Sequence, residues 1–143
     1  MKNLEVKLIK EKNEYFKDWI YKIWHHHDTI DKIYKCNYDV EIKFGENEFY
    51  YKILKDDIEI GFIGLDLRDN EILDQHTLYI NRFYIDEEYR NMGIGERVLN
   101  KIIEIAKEMN RDLELEVFGD NPAIHLYEKI GFKIHYRDMI LKI

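Results

Sequence analysis

The spacing of apolar positions changes several times along the chain, and each change marks an element. Residues 5–9 alternate as a short strand, after which Tyr15, Phe16, Trp19, Ile20, Ile23 and Trp24 recur at helical spacing behind Asn13, an N-cap residue type. Asp28 or Thr29 then suits the cap of a second short helix carrying Ile30, Ile33 and Tyr34. Residues 49–54, a turn at 55–57 and residues 58–67 read as an antiparallel hairpin running toward a loop at Asp69-Asn70, and residues 78–85 make the next strand. The strongest period follows. Ile94, Val98, Leu99, Ile102, Ile105, Ala106 and Met109 fall on one side of a helix, with Glu96, Arg97, Asn100, Lys101, Glu104 and Lys107 on the other and Asn110 as its C-terminal cap. Leu113, Leu115 and Val117 alternate with Glu114 and Glu116 in a strand. Asn121-Pro122 opens another helix, with Asn as N-cap and Pro at the first position, and residues 132–143 supply a final strand or strand pair.

Composition narrows the class. The 143 residues, 45% hydrophobic and 14% aromatic, suit one globular domain over 1–143 with no repeat, low-complexity segment or linker. No apolar stretch is long enough to cross a bilayer, and the first residues read as a strand rather than a signal peptide, so a cytoplasmic protein without membrane contact is expected. Cys36 is the only cysteine, which excludes an internal disulfide. Twenty-two basic against 29 acidic residues give a net charge of −7 with no cluster of Lys and Arg, so nucleic acid is not an expected partner, whereas a cationic amine would be attracted.

The run Arg90-Asn91-Met92-Gly93-Ile94-Gly95 lies between the strand at 78–85 and the long helix. A strand turning through glycines into a helix presents several backbone N–H groups together with the positive end of the helix dipole, which makes a cradle for a pyrophosphate. A P-loop is excluded because Glu96 and Arg97 stand where Lys and Ser or Thr are needed. A dinucleotide fingerprint would need Gly or Ala at Val98 and would open the domain, although Glu116 lies at about the expected distance onward.

Taken with Leu113-Glu114-Leu115-Glu116-Val117, with Asn121-Pro122-Ala123-Ile124-His125-Leu126-Tyr127-Glu128-Lys129 and with Ile130-Gly131-Phe132, this run resembles the GNAT superfamily of N-acetyltransferases over residues 78–132. The resemblance implies a single-domain α/β fold, a mixed and mostly antiparallel sheet flanked by helices, in the order β-α-α-β-β-β-α-β-α-β. It implies transfer of an acetyl group from acetyl-CoA to a primary amine by direct attack, the acceptor being a small-molecule amine or a protein N-terminus. A non-catalytic acetyl-CoA-binding regulatory module is the alternative on the same fold. A monomer or homodimer is expected.

Roles for single residues follow from the same resemblance. Backbone groups at a bulge late in the strand, at Phe83, Tyr84 and Ile85, would hold the carbonyl and the pantetheine arm. Amides of Asn91, Met92, Gly93, Ile94, Gly95 and Glu96 would hold the pyrophosphate, with Arg90 at the start of the loop and both glycines permitting close approach. Lys129 is either a contact for the outer phosphate or adenine end or a solvated helix lysine. Asn121 is either a pantetheine contact or an N-cap; its spacing to Tyr127 is one residue shorter than the family's commonest, so the helix starts later or Asp120 takes its place. Tyr127 would be the acid that protonates the departing thiolate, against a reading in which it only packs. Glu116 would be the base, directly or through water. The residues themselves add an argument here: a parallel strand under helices should be apolar on both faces, yet Glu114 and Glu116 put two carboxylates on one face, as a wet cleft or a structural ion pair would require. No metal is expected, since His25, His26 and His27 point about 100° apart on a helix and cannot all converge on one ion. At the end of the first helix they would instead line an acceptor pocket with Trp24 and Tyr34.

Overall fold

The computed structural model describes residues 5–118 and 121–143. Its sheet is organised around a tight hairpin. Asp56 and Asp57 both take positive φ (50° and 64°), the conformation a two-residue turn needs to match strand twist, and they join β2 (Glu48–Lys55) to β3 (Ile58–Asn70) with Lys55 opposite Ile58. β1 (Val6–Glu11) lies antiparallel along the other edge of β2, and β4 (Gln75–Ile85) antiparallel along β3. β5 (Asp112–Leu115) is parallel to β4, so the order across the sheet is β1-β2-β3-β4-β5, the order in the chain. α1 (Lys17–Ile30), reached through a short 3-10 turn, follows β1; α2 (Ile94–Glu108) is the crossover between β4 and β5; α3 (Ile124–Ile130) follows β5.

The two faces of the sheet are covered differently. Against α2 lie Ile53, Ile60, Ile63, Leu65, Leu78 and Ile80, meeting Ile94, Val98, Leu99, Ile102 and Ala106 in one buried aliphatic cluster. Removing a Leu or Ile of this kind from water is worth about 1.5–3 kcal/mol, which is why the 3.6-residue stripe of α2 decides its docking. The other face is aromatic: Phe16 stacks on Tyr50 and Phe62 at 5.4 and 5.8 Å, beside Trp19, Ile20 and Ile42. α2 ends as its sequence predicts. Asn110 adopts φ 55°, and the Arg111 amide returns to the Ala106 carbonyl at 2.9 Å.

Four expectations are corrected. Asn13 does not cap α1; its Nδ2 donates to the Glu48 carbonyl at 3.2 Å, tying the 3-10 turn to β2. No second helix forms after α1, because Thr29 bonds back to the His26 carbonyl inside α1 (2.6 Å) and Asp31 spends its Oδ1 on the amides of Ile33 and Tyr34, closing a turn. β5 stops at Leu115, leaving Glu116 and Val117 beyond the ladder. Residues 132–143 form no strand, and the outer edge of β5 stays unpaired among the described residues.

Candidate functional site

After Ile85 the chain leaves the sheet through Asp86, whose amide donates to the Ile60 carbonyl at 2.8 Å, and a 3-10 turn at Glu87–Tyr89. Asn91 (φ 62°) and Gly93 (φ 81°) then reverse the backbone into α2. Both sit in the left-handed region, where glycine and asparagine cost least. Among the described residues no acceptor takes the amides of residues 91–96, and the first capping bond is Arg97 N–H to the Gly93 carbonyl at 3.2 Å. A row of such amides at a helix N-terminus has the polarity to bind an anion.

The side chains around this loop do less than expected of them individually. Arg90 donates through Nε to the Ile85 carbonyl (2.8 Å) and lies over the Tyr84 ring, so it pins the loop to β4. Gly95 makes room inside the protein rather than outside: a Cβ there would sit 3.0 Å from Leu126 Cδ2, with Ile85 and Phe83 next, so this glycine lets α3 and the end of β4 close on α2. Lys129 pairs with Glu96 at 3.0 Å, which offsets the one carboxylate in the first turn of α2.

β4 changes character along its length. From Thr77 to Ile80 it is paired on both edges, with β5 ending opposite Ile80; from residue 81 to 85 only β3 lies beside it among the described residues. The bulge expected at Phe83, Tyr84 and Ile85 falls earlier. Gly64 faces Arg82 and Leu65 faces Ile80, so Asn81 is the extra residue, and those three carry regular β3 pairing. Gly64 is required opposite it, since a Cβ there would collide with the Tyr50 ring and Asn81 Oδ1. Tyr50, fully buried, donates to Glu48 Oε2 at 2.8 Å and accepts from Arg82 Nη1 and from Asn81 Nδ2 at 3.3 Å. Burial above all pushes its phenol up to about 12. Asn81 Oδ1 is buried without a partner among the described residues.

Of the two acid–base candidates, Glu116 follows the last residue of β5 and Tyr127 lies on α3. Glu114 is opposite Tyr79 and accepts from the Thr77 hydroxyl at 2.7 Å, so it is structurally engaged. Glu116 is exposed with no hydrogen bond or ion pair among the described residues, and its charge helps to raise the buried Tyr79 phenol after burial itself. Both carboxylates therefore share the face of Tyr79, as the alternation predicts. Tyr127 packs on the aliphatic cluster and against Phe132 (5.9 Å between ring centroids). Its hydroxyl has no partner among the described residues, and burial pushes it up to about 12. The helix starts later than Asn121-Pro122 predicts: α3 opens at Ile124 behind Ala123 with no side-chain cap, and Asn121 Oδ1 instead accepts the Ala123 amide at 3.0 Å in the preceding turn, while Asp120 lies outside the described residues.

The histidines do occupy the last turns of α1. His26 faces Tyr84 at 6.3 Å and is held below the ordinary imidazole range by burial first and by the Arg90 charge second, with Glu87 opposing. His27 meets Phe118 at 4.8 Å, and Trp24 and His25 pack on Tyr38. Tyr34 meets Lys142, whose Nζ stands 4.5 Å from its ring centroid. Tyr38, Phe118 and Asn81 join this region without having been singled out in the sequence. A polar residue in the middle of an apolar strand was the one available signal, and it pointed to Asn81.

Residues 10–132 match the model of the acetyltransferase (GNAT) family. Among curated proteins the chain is 33% identical over 61 residues to the spermine/spermidine N(1)-acetyltransferase of Bacillus subtilis, 41% of this chain and 40% of that protein. It is 36% identical over 89 residues to the [ribosomal protein bS18]-alanine N-acetyltransferase of Haemophilus influenzae, 62% and 57% of the two lengths. A match to the human cysteine-rich protein 2-binding protein is 33% identical over 84 residues and spans 59% of this chain but 9% of that protein. The chain thus spans less than two thirds of each of these relatives. Among solved structures a tetramutant of the BH1408 protein of Bacillus halodurans superposes with a TM-score of 0.79 at 19% identity, covering 98% of this chain and 100% of its own, a likeness of fold.

Proposed function

Since the chain belongs to the acetyltransferase (GNAT) family, we propose that it transfers an acetyl group from acetyl-CoA to a primary amine by direct attack, without an acyl-enzyme. The observation that carries this reading is the row of amides at residues 91–96, which have no acceptor among the described residues, at the N-terminus of α2 and next to the strand edge at 81–85 that no described strand pairs. The amides and the helix dipole suit a pyrophosphate, Lys129 offsets Glu96 beside it, and the backbone of Phe83, Tyr84 and Ile85 suits an extended, amide-bearing arm. The thioester supplies the activated acyl group when bound. The protein's part is to hold it, to accept a proton from the amine and to donate one toward sulfur.

Tyr127 is the donor. A phenol pushed up to about 12 stays protonated at any working pH, and it is a far weaker acid than a thiol of about 8.5, so it acts by hydrogen-bonding to sulfur as negative charge develops. Glu116 takes the amine proton directly or through water. A second acceptor is supported by one observation: the His26 imidazole faces Tyr84 at the open edge, where burial and the Arg90 charge disfavour its protonated form in the resting site. The net charge of −7 favours a cationic acceptor, and the relatives' names point to polyamines and to a protein N-terminal alanine as the first amines to try. An acetyl-CoA-binding module without catalysis is the less supported reading, because Tyr127 and Glu116 both keep polar atoms without partners among the described residues.

The deciding experiment is calorimetric titration with acetyl-CoA, then thiol release measured across polyamines, amino acids, aminoglycosides and N-terminal peptides. Binding with release for one class is expected; binding without release supports the module, and no binding removes the loop assignment. Tyr127→Phe is expected to lower kcat about 10²-fold with coenzyme affinity nearly unchanged, and full turnover in that variant removes Tyr127 from its role.

A further inference from the structure

We propose that His27, Asp28 and Cys36 form a binding site for a thiophilic divalent transition-metal ion such as zinc, clamping the segment 31–38 onto the end of α1. One ligand atom from each of the three lies within 4.8 Å of the others. Adjacent histidines cannot converge, but a single histidine can be joined by a cysteine nine positions later when the chain doubles back, and here it does. Asp31 ends α1 and closes a turn; Lys35 Nζ then bonds the carbonyls of Asp28 (2.7 Å) and Asp31 (2.8 Å), and the Cys36 amide donates to Asp28 Oδ1 at 2.8 Å. Three bonds therefore hold residues 35 and 36 beside the end of α1 before any ion arrives.

The imidazole is oriented as well. Asp31 Oδ2 lies 3.0 Å from His27 Nε2, leaving Nδ1 as the nitrogen for the metal, the carboxylate–histidine pairing that fixes tautomer and ring direction in metal sites. A thiol, an imidazole and a carboxylate together select zinc or cobalt over calcium or magnesium, which prefer oxygen alone. Three protein ligands leave a fourth position for water. On binding, the metal replaces the thiol proton of Cys36, which passes to the buffer. His27 packs on Phe118, so the clamp stiffens the wall beside the end of β5. None of this depends on the acetyltransferase reading.

Cobalt(II) titration of the reduced full chain, followed by absorption, with zinc affinity read by chelator competition, tests the site. One equivalent and a thiolate-to-cobalt charge-transfer band are expected; Cys36→Ser should lose the band and His27→Gln should weaken zinc at least about 10²-fold, while Asp31→Asn weakens it about 10–100-fold with the band retained. Absence of stoichiometric binding, unchanged affinity in Cys36→Ser, or an equal loss in His25→Gln, whose ring is outside the cluster, would overturn the proposal. Should the serine variant not fold, alkylation of Cys36 in the unmodified protein serves instead: zinc should slow it at least about tenfold, and an unchanged rate is equally fatal.

Discussion

The two faces of this sheet are built from different chemistry and so tolerate change differently. Against α2 the contacts are aliphatic and non-directional, from Ile53 and Leu65 to Leu99 and Ile102, and the glycine loop is held as a by-product of that packing through Leu126 on Gly95. Against α1 the contacts are aromatic and polar, with Tyr50 buried among Phe16, Phe62, Glu48, Arg82 and Asn81. The first face makes a rigid platform. The second carries titratable groups in fixed positions, and it is the side on which Glu116, His26 and the end of α1 lie.

The sharpest way to break the contrast is on the platform side. Gly93→Val puts a β-branched residue at φ 81° in the loop, and acetyl-CoA binding measured by calorimetry should be abolished; unchanged affinity would overturn the loop's role. Leu99→Ala, fully buried on α2, should lower unfolding free energy by about 2–5 kcal/mol in urea titration. Tyr50→Phe keeps the shape of the aromatic face but removes the hydroxyl that serves Arg82, Asn81 and Glu48, and should cost about 1–3 kcal/mol. A neutral result there would mean the polar network carries no stability, and the two faces would differ only in composition. The smallest expected effect concerns His26. Its pKa is lowered in the folded state, so its contribution is intact above the ordinary value of 6.5 and is lost as pH falls from there through the folded value; His26→Gln should flatten the stability–pH curve in that acid window alone.

This contrast also explains what could be read from the sequence. The α2 stripe, the Asn110 cap and the strand-loop-helix context of Gly93 are local patterns, and each appears in the structure where the residues put it. The face shared by Glu114 and Glu116 was legible for the same reason, since alternation is local. The α1 side was not, because its features depend on contacts between distant segments. Asp31 looks like any cap residue until its carboxylate is seen serving both a turn and His27. Asn13 looks like an N-cap until Glu48 arrives from 35 residues away. The bulge at Asn81 depends on Gly64 in the neighbouring strand, and so was assigned two residues too late.

The coincidence of sheet order with chain order has a kinetic side. β2, β3 and β4 are joined by the turn at 56–57 and the loop at 71–74, so their pairing closes short loops, whereas β5 reaches β4 only after the whole of α2 has been threaded across. The meander is therefore expected to form early and the four-residue β4–β5 ladder last. In native-state hydrogen exchange the amides of β3 should be the slowest and those of β5 among the first in the sheet to open. The fork where β4 and β5 separate, with Glu116 at its lip, would then be the least cooperative part of the sheet, able to breathe without loss of the remainder.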